Sequence, residues 1–112
     1  MTEIEALEKS IEQWEWLKDN PDKNKDDYFK YKDIRDIPIV GCYVCLCVDW
    51  NCSKCLVSEW RKNRCIEDRE SYVKWEYSYD IFETKKGAEN VLALLKKNLK
   101  RVRNEQRNKS NV

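Results

Sequence analysis

The apolar pattern near the N-terminus predicts a first helix over residues 3–19. Its apolar positions recur at steps of three and four residues: Ile4, Leu7, Ile11 and Trp14. This spacing places them on one face of a helix. Thr2 and Glu5 form the capping-box pattern that starts a helix. Because the residue before a proline avoids helical backbone angles, Pro21 should end this helix near Asp19.

A second apolar stripe predicts a helix over residues 85–102. The stripe consists of Ala88, Val91, Leu92, Leu95, Leu99 and Val102. Thr84 is suited to cap its start. After Arg103 the apolar periodicity ends, so we expect a basic, disordered tail over residues 104–112. Residues 1–103 would then form a single domain.

Between these helices, the pattern changes to an alternation with a period of two. The apolar members of this alternation are Val73, Trp75, Tyr77 and Tyr79. Such a period predicts a strand with one buried face, near residues 72–81. Residues 20–36 are polar and charged, and we expect a surface connection docked through Tyr28, Phe29 and Tyr31. The predicted fold is therefore α+β and mainly helical, with two helices flanking a cysteine-ligated centre and a short strand or hairpin.

Composition limits both the core and the chemistry. The chain has 112 residues, 38% of them charged, and a domain of this size buries only about two-thirds of its unfolded surface. Small domains of this kind often need a staple, which the six cysteines could supply. The chain has no His, which excludes Ser-His-Asp and Cys-His catalysis. We therefore predict that the protein is not an enzyme.

The six cysteines form two Cys-x-x-Cys units and two single positions. Two thiolates at this spacing can bind a tetrahedral metal ion from one tight turn, and two such turns complete a four-sulfur shell. Structural Zn²⁺ is the usual occupant of such a shell. The predicted ligands are four of these five residues: Cys42, Cys45, Cys52, Cys55 and Cys65. Cys47 is expected to be a small buried apolar residue.

Three other interpretations of the cysteines remain: disulfides, a redox Cys-x-x-Cys site and an iron–sulfur cluster. The N-terminal sequence is acidic and lacks the features of a signal peptide. We therefore expect a cytoplasmic protein with reduced thiols, which disfavours disulfides. No apolar run approaches the ~18 residues of a membrane span, so no membrane association is expected.

Charge is segregated along the chain although the net charge is only +1. Residues 1–41 carry 11 acidic and 7 basic side chains, whereas residues 85–112 carry 2 and 9. One interpretation is an acidic N-terminal helix that packs antiparallel on a basic C-terminal helix. The other is a nucleic-acid-binding surface. Its candidate residues are Lys96, Lys97, Lys100, Arg101 and Arg103.

The order of these features resembles a group of small cysteine-rich proteins of tailed phages. The resemblance rests on the helix Ala6–Trp14, the units Cys42–Cys45 and Cys52–Val57, the single Cys65 and the closing Leu-rich helix. It covers about residues 3–100 and implies a phage origin, a zinc site and action in the host cytoplasm.

Binding to another protein is the function that we predict, with nucleic-acid binding as the alternative. A phage-type protein without catalytic groups would act on a host protein, for example by inhibiting a defence component. Trp and Tyr dominate the energetics of protein interfaces. The candidate partner-binding residues are Trp60, Trp50, Tyr43, Arg61 and Arg64. The Leu-rich helix would also allow homodimerisation.

Overall fold

The computed structural model describes residues 1–35, 42–49 and 51–110 of the chain. These residues form five α-helices: α1 (Glu3–Asp19), α2 (Lys25–Tyr31), α3 (Tyr43–Cys47), α4 (Tyr72–Tyr77) and α5 (Ile81–Ser110). Three short 3₁₀ turns lie between α3 and α4: Cys52–Lys54, Ser58–Trp60 and Cys65–Glu67. The described ranges contain no strand, so the fold over them is helical.

The first helix begins and ends where the sequence predicted. The Thr2 hydroxyl accepts a hydrogen bond from the Glu5 backbone N–H at 3.1 Å. At the other end, Asn20 closes α1 by donating to the Trp16 carbonyl oxygen from both its backbone and its side chain. Leu7, Trp14 and Leu17 of this helix are buried. The capping pattern and Pro21 were therefore sufficient to locate α1.

Helices α1 and α5 form the main interface of the molecule. Lys96 lies 3.5 Å from Glu15, and Arg103 lies 3.9 Å from Glu8. The two ion pairs occur in opposite order along the two helices, which are therefore antiparallel. The apolar stripe of α5 faces the core, and Val91, Leu95 and Val102 are almost fully buried. The Leu-rich face is thus used within the chain rather than left open for a homodimer.

Helix α5 is longer at both ends than the sequence predicted. It begins after Asp80, whose carboxylate accepts from the Phe82 backbone N–H at 2.8 Å, so Asp80 rather than Thr84 caps the helix. At the other end α5 includes residues 104–110, for which a disordered tail was expected. This extension is rich in good helix formers. An i,i+4 ion pair between Arg101 and Glu105, at 2.9 Å, also links it to the preceding turn.

The strand predicted near residues 72–81 is wrong, and with it the α+β class. Residues 72–77 form α4, which packs against α5. The two helix backbones approach each other closely at Gly87. A Cβ added there would lie 2.4 Å from the Trp75 backbone nitrogen and 2.8 Å from the Ser71 carbonyl oxygen. A six-residue helix with Trp75 buried satisfies this contact, and the described residues offer no strand to pair with.

Residues 25–31, within the predicted surface connection, form a helix. Asn24 caps it in a reciprocal capping box with Asp27, at 2.9 and 3.0 Å. Tyr28 and Phe29 are buried as expected, whereas Tyr31 is exposed. None of the helices in the described ranges combines the length and the apolar character needed to cross a membrane.

Candidate functional site

The five cysteines predicted as ligands line two cavities that share three of them. The larger cavity, of about 230 Å³, is lined by Cys42, Cys45, Cys52 and Cys65. The smaller, of about 10 Å³, is lined by Cys45, Cys52, Cys55 and Cys65. Cys47 lines neither of them. The structure therefore gathers residues from the start of α3 and from two 3₁₀ turns around one small volume.

The thiols are near one another but are not preorganised as a metal shell. In the part of the chain that the structure describes, no three Cys, Asp or Glu side chains are placed to hold a common ion. The segments that carry the candidate ligands are a five-residue helix and three-residue turns. A donor set of soft sulfurs suits Zn²⁺. The donor set therefore suits the ion by its chemistry, whereas the positions of the sulfurs over the described residues do not form a metal shell.

The larger cavity also contains a buried hydroxyl that lacks a partner. Ser10 of α1 is 2% exposed, and its Oγ atom has no hydrogen-bond partner among the described residues. A buried polar group left unpaired costs about 1–3 kcal/mol. Sulfur ligands drawn into the cavity would provide acceptors for this hydroxyl.

Cys42 and Cys45 form a hydrogen-bonded pair of sulfurs. This hydrogen bond, with help from Lys25 and the backbone N–H groups of Val44 and Cys45, outweighs burial and lowers the pKa of Cys42 to about 6. The same bond to Cys42 raises the pKa of Cys45. The hydrogen bond thus favours the thiolate form of Cys42 and the thiol form of Cys45, and the thiolate is the form of sulfur that binds metals.

Two further candidate ligands, Cys55 and Cys65, have pKa values above the usual value of a thiol. Burial raises the pKa of Cys55 to about 11, against a hydrogen bond from the Val57 backbone N–H. Burial likewise raises the pKa of Cys65. A metal ion bound at these sulfurs would reverse this effect, since a coordinated thiol is deprotonated.

An aromatic cage places a cation beside the cysteines. The Lys25 ammonium lies 4.6 Å from the ring centroid of Tyr72 and 5.9 Å from those of Trp14 and Trp75. It also donates to the Tyr72 hydroxyl at 2.9 Å. Burial alone would lower the pKa of Lys25, but Tyr72 and Cys42 more than compensate and raise it. Nothing in the sequence pattern distinguished Lys25 from the other lysines of its polar segment.

The aromatic residues predicted to bind a partner lie mostly in the core. Trp60 is 4% exposed, and its Nε1 donates to the Asp68 carboxylate at 2.9 Å. Tyr43 is also buried. Trp50 lies outside the described residues. The two tryptophans and Tyr43 were chosen by residue type alone, which does not separate core from interface positions.

The two arginines of the predicted partner surface lie next to the cysteine site. Arg61 Nε donates to the Cys55 carbonyl oxygen at 2.8 Å, which supports the turn that carries this cysteine. Arg64 is exposed and lines the larger cavity. Both side chains therefore belong to the surroundings of the thiols.

Most of the basic residues suggested for nucleic-acid binding have partners within the chain. Besides the pairs of Lys96 and Arg103 with α1, Lys97 lies 2.8 Å from Glu59. Arg101 donates to the Leu56 carbonyl oxygen at 2.9 Å. Lys100 is exposed. The charge segregation thus matches the interpretation in which the two terminal helices pair with each other.

An exposed apolar patch lies where α4 meets α5. It consists of Tyr77, Tyr79, Ile81 and Phe82, and we call it the aromatic corner. Tyr79 is fully exposed, and Phe82 and Tyr77 are 79% and 71% exposed. The sequence had suggested that Tyr77 and Tyr79 lie on the buried face of a strand. Because these residues are not in a strand, their side chains are exposed and form a candidate interface that the apolar pattern alone did not predict.

Comparison with known proteins supplies no relative. No protein-family model, curated protein or solved structure matches the chain.

Proposed function

We propose that the protein is a small zinc-stabilised binding protein that acts by engaging another protein. The convergence of five cysteines on two cavities supports the zinc part of this function. Four of the five would hold the ion, which would shape the segment between α3 and α4 rather than take part in catalysis. Reduced thiols are needed for such a site, so we place the protein in the cytoplasm.

Zinc stoichiometry tests the first part of the proposal. Native mass spectrometry of the protein refolded with Zn²⁺ should show one ion per chain. In a series of single Cys→Ser variants, four of the five predicted ligands should be required and one dispensable. Cys47→Ser is the matched control and should keep its zinc, because Cys47 lines neither cavity. A wild-type chain that is folded and binds no zinc would contradict the proposal.

The aromatic corner supports the binding part of the function. Three aromatic rings and one isoleucine are exposed within six residues. Concentrated apolar surface of this kind marks interaction sites on soluble proteins, and Tyr and aromatic side chains are enriched there. The resemblance to phage proteins suggests a host protein as the partner, with inhibition of a defence component as the outcome.

Affinity capture from host extract tests this surface. The bait would be the wild-type protein, a Tyr79→Ser/Phe82→Ser variant and a control variant, Tyr31→Ser, which removes an exposed tyrosine 65% accessible elsewhere on the surface. We expect a defined host protein that wild type and the control retain and the corner variant loses. Equal capture by all three proteins would exclude the corner as the binding surface.

Nucleic-acid binding is less well supported as the function. Four of its five candidate residues contact acidic or carbonyl groups of the same chain. Using them for phosphate would require these contacts to break.

A further inference from the structure

The larger cavity has the composition of a small-molecule pocket. Such pockets are mostly apolar and carry a few polar groups that orient the ligand. Trp14, Val44 and Leu95 line this cavity with buried apolar side chains. An apolar cavity of about 150 Å³ holds benzene, and this one measures about 230 Å³. The space therefore suits one aromatic ring with short substituents.

A buried hydroxyl lies in the wall of this cavity. Ser10 is 2% exposed, and its Oγ atom has no hydrogen-bond partner among the described residues. Trp14 follows one turn later on α1, so the two side chains are neighbours on one helix face. A buried polar group without a partner is unfavourable, and a ligand with a hydrogen-bonding group at this depth would pair with it. Ser10 thus indicates a ligand whose inner end is polar.

The charged groups of the cavity favour a ligand with a single negative charge. Lys25 and Arg64 line it, and no carboxylate is among the lining residues that the structure describes. The thiolate form of Cys42, which its hydrogen bond favours, offsets one of the two positive charges. The lining then keeps one positive charge. Arg64 is exposed, which places its guanidinium at the mouth of the cavity, and a guanidinium binds a carboxylate through two parallel hydrogen bonds.

We propose that the larger cavity binds a small aromatic monocarboxylic acid with a hydroxyl group opposite its carboxylate. The carboxylate pairs with Arg64 at the mouth, and the ring lies against Trp14 and Leu95. The hydroxyl of the ligand shares a hydrogen bond with Ser10. This inference is separate from the proposed zinc function, because it uses the apolar, hydroxyl and basic groups of the lining and no metal–sulfur bond.

Three related compounds test the selectivity of the cavity. The probe is 4-hydroxyphenylacetate. Phenylacetate lacks its hydroxyl, and 4-hydroxyphenylacetamide lacks its charge. Calorimetric titration of the full chain with reduced thiols gives the three affinities. We expect the probe to bind about fivefold tighter than phenylacetate, as for one added hydrogen bond, and about tenfold tighter than the amide.

Ser10→Ala separates ligand binding from folding. The variant removes an unpaired buried hydroxyl and introduces a good helix former, so we expect an equal or higher unfolding free energy than in wild type. Its affinity for the probe should nevertheless fall about fivefold. Its affinity for phenylacetate should not change, because that compound has no hydroxyl to pair with Ser10.

Arg64→Gln tests the charged end at an exposed position, where substitution leaves the core intact. It should weaken binding of both acids about tenfold and leave that of the amide nearly unchanged. Lys62→Gln is the matched control, because it removes one positive charge from an exposed residue that is not among the lining residues.

Indole N–H signals in NMR spectra locate the bound probe. Trp14 and Trp60 line the cavity, whereas Trp16 packs on Tyr28 outside it. Titration with the probe should shift the signals of Trp14 and Trp60 and leave that of Trp16 in place. Shifts at Trp16 without shifts at the other two would place the ligand elsewhere and contradict the proposal.

The outcomes distinguish this inference from the zinc proposal. A folded wild-type chain that shows no saturable binding of the probe overturns the cavity proposal, whether or not the chain binds zinc. Equal affinities for the acid and the amide, or a preference for the probe that persists in Ser10→Ala, also overturn it. A chain that binds the probe with the expected selectivity but binds no zinc overturns the zinc function alone.

Discussion

The two terminal helices and the segment between α3 and α4 are stabilised in different ways. Helices α1 and α5 bury regular apolar stripes against each other, and their outer edges are joined by ion pairs. The described residues between Cys42 and Glu67 form only short helices and turns. They are held by single side-chain contacts such as Trp60 to Asp68 and Arg61 to Cys55. Periodicity specifies the first region, whereas individual contacts and the proposed metal specify the second.

Helix α5 connects the two regions through a buried amide. Asn98 is 1% exposed, and its side chain accepts from the Ser58 backbone N–H at 3.1 Å and donates to the Glu59 carboxylate at 2.8 Å. Arg101, one turn further on, reaches the Leu56 carbonyl oxygen. The cysteine segment is therefore docked on the helix pair by polar contacts of α5. If the two regions differ as we infer, they should respond differently to the same disturbance.

Removal of the proposed zinc should change local stability more than any other treatment, and it should do so only in the cysteine segment. Structural zinc supplies about 10–16 kcal/mol in small zinc-dependent domains. We expect chelation to lower the free energy of opening between Cys42 and Cys65 by about 3 kcal/mol or more, while α1 and α5 change little. Hydrogen exchange with and without a chelator measures both regions together. Cys47→Ser is the control, and equal loss of protection in α1 would show that the regions are not separate.

Gly87→Ala should disrupt the packing of α4 against α5. Alanine is a better helix former than glycine by about 1 kcal/mol. The new Cβ would meet backbone atoms of Trp75 and Ser71 at 2.4 and 2.8 Å, however, and backbone cannot swing aside as a side chain does. Overpacking of this kind costs about 1–3 kcal/mol, so we expect net destabilisation in a denaturant titration. Lys86→Ala, at the neighbouring exposed position, should be nearly neutral.

Glu59 should make the docking of the cysteine segment depend on pH. Burial would raise the pKa of Glu59, but hydrogen bonds from Lys97, Asn98 and Ser58 lower it to about 2. Ionised Glu59 therefore stabilises the fold above its ordinary pKa of 4.5, and this contribution is lost as the pH falls toward about 2. The unfolding free energy of wild type should fall more steeply over this window than that of Glu59→Gln. Parallel pH profiles would contradict this role.

We expect duplex DNA to bind only weakly to the protein, which makes this the smallest of the predicted effects. Because four of the five basic candidates are engaged within the chain, we expect gel shifts only at low salt. At about 150 mM salt the dissociation constant should be no tighter than the 10⁻⁴–10⁻⁶ M typical of non-specific binding. Tight binding that weakens steeply with salt would mean that the ion pairs between α1 and α5 open to accept phosphate.

The sequence was sufficient for the region that periodicity specifies. Residue spacing predicted both terminal helices and the cap at Thr2, although α5 extends beyond both of its predicted ends. The alternation at residues 73–79 was misleading, because a period of two over so few residues does not reveal whether a partner strand exists. Asn24 and Asp27 form a capping box that indicates the start of α2, and the prediction of a surface connection overlooked this signal.

The rest of the site depends on contacts between distant residues. Lys25 and Tyr72 are far apart in sequence, and the tertiary fold brings the Lys25 ammonium to 2.9 Å from the Tyr72 hydroxyl. Trp60 and Tyr43 are residue types that are common in interfaces, but both side chains are buried in the core. Residue type and spacing carry no information on which aromatic side chains the fold will bury, so the aromatic corner could not be anticipated.

The pairing of the first helix with the last has a consequence for synthesis of the protein. During translation the apolar face of α1 emerges well before α5, which provides most of its cover. Residues 20–80 thus form one long loop whose ends must meet before the core is complete, and closing a long loop costs entropy. Zinc captured by the nascent cysteine segment would shorten this loop before α5 arrives. A chain truncated before residue 90 would therefore expose the apolar face of α1 to solvent.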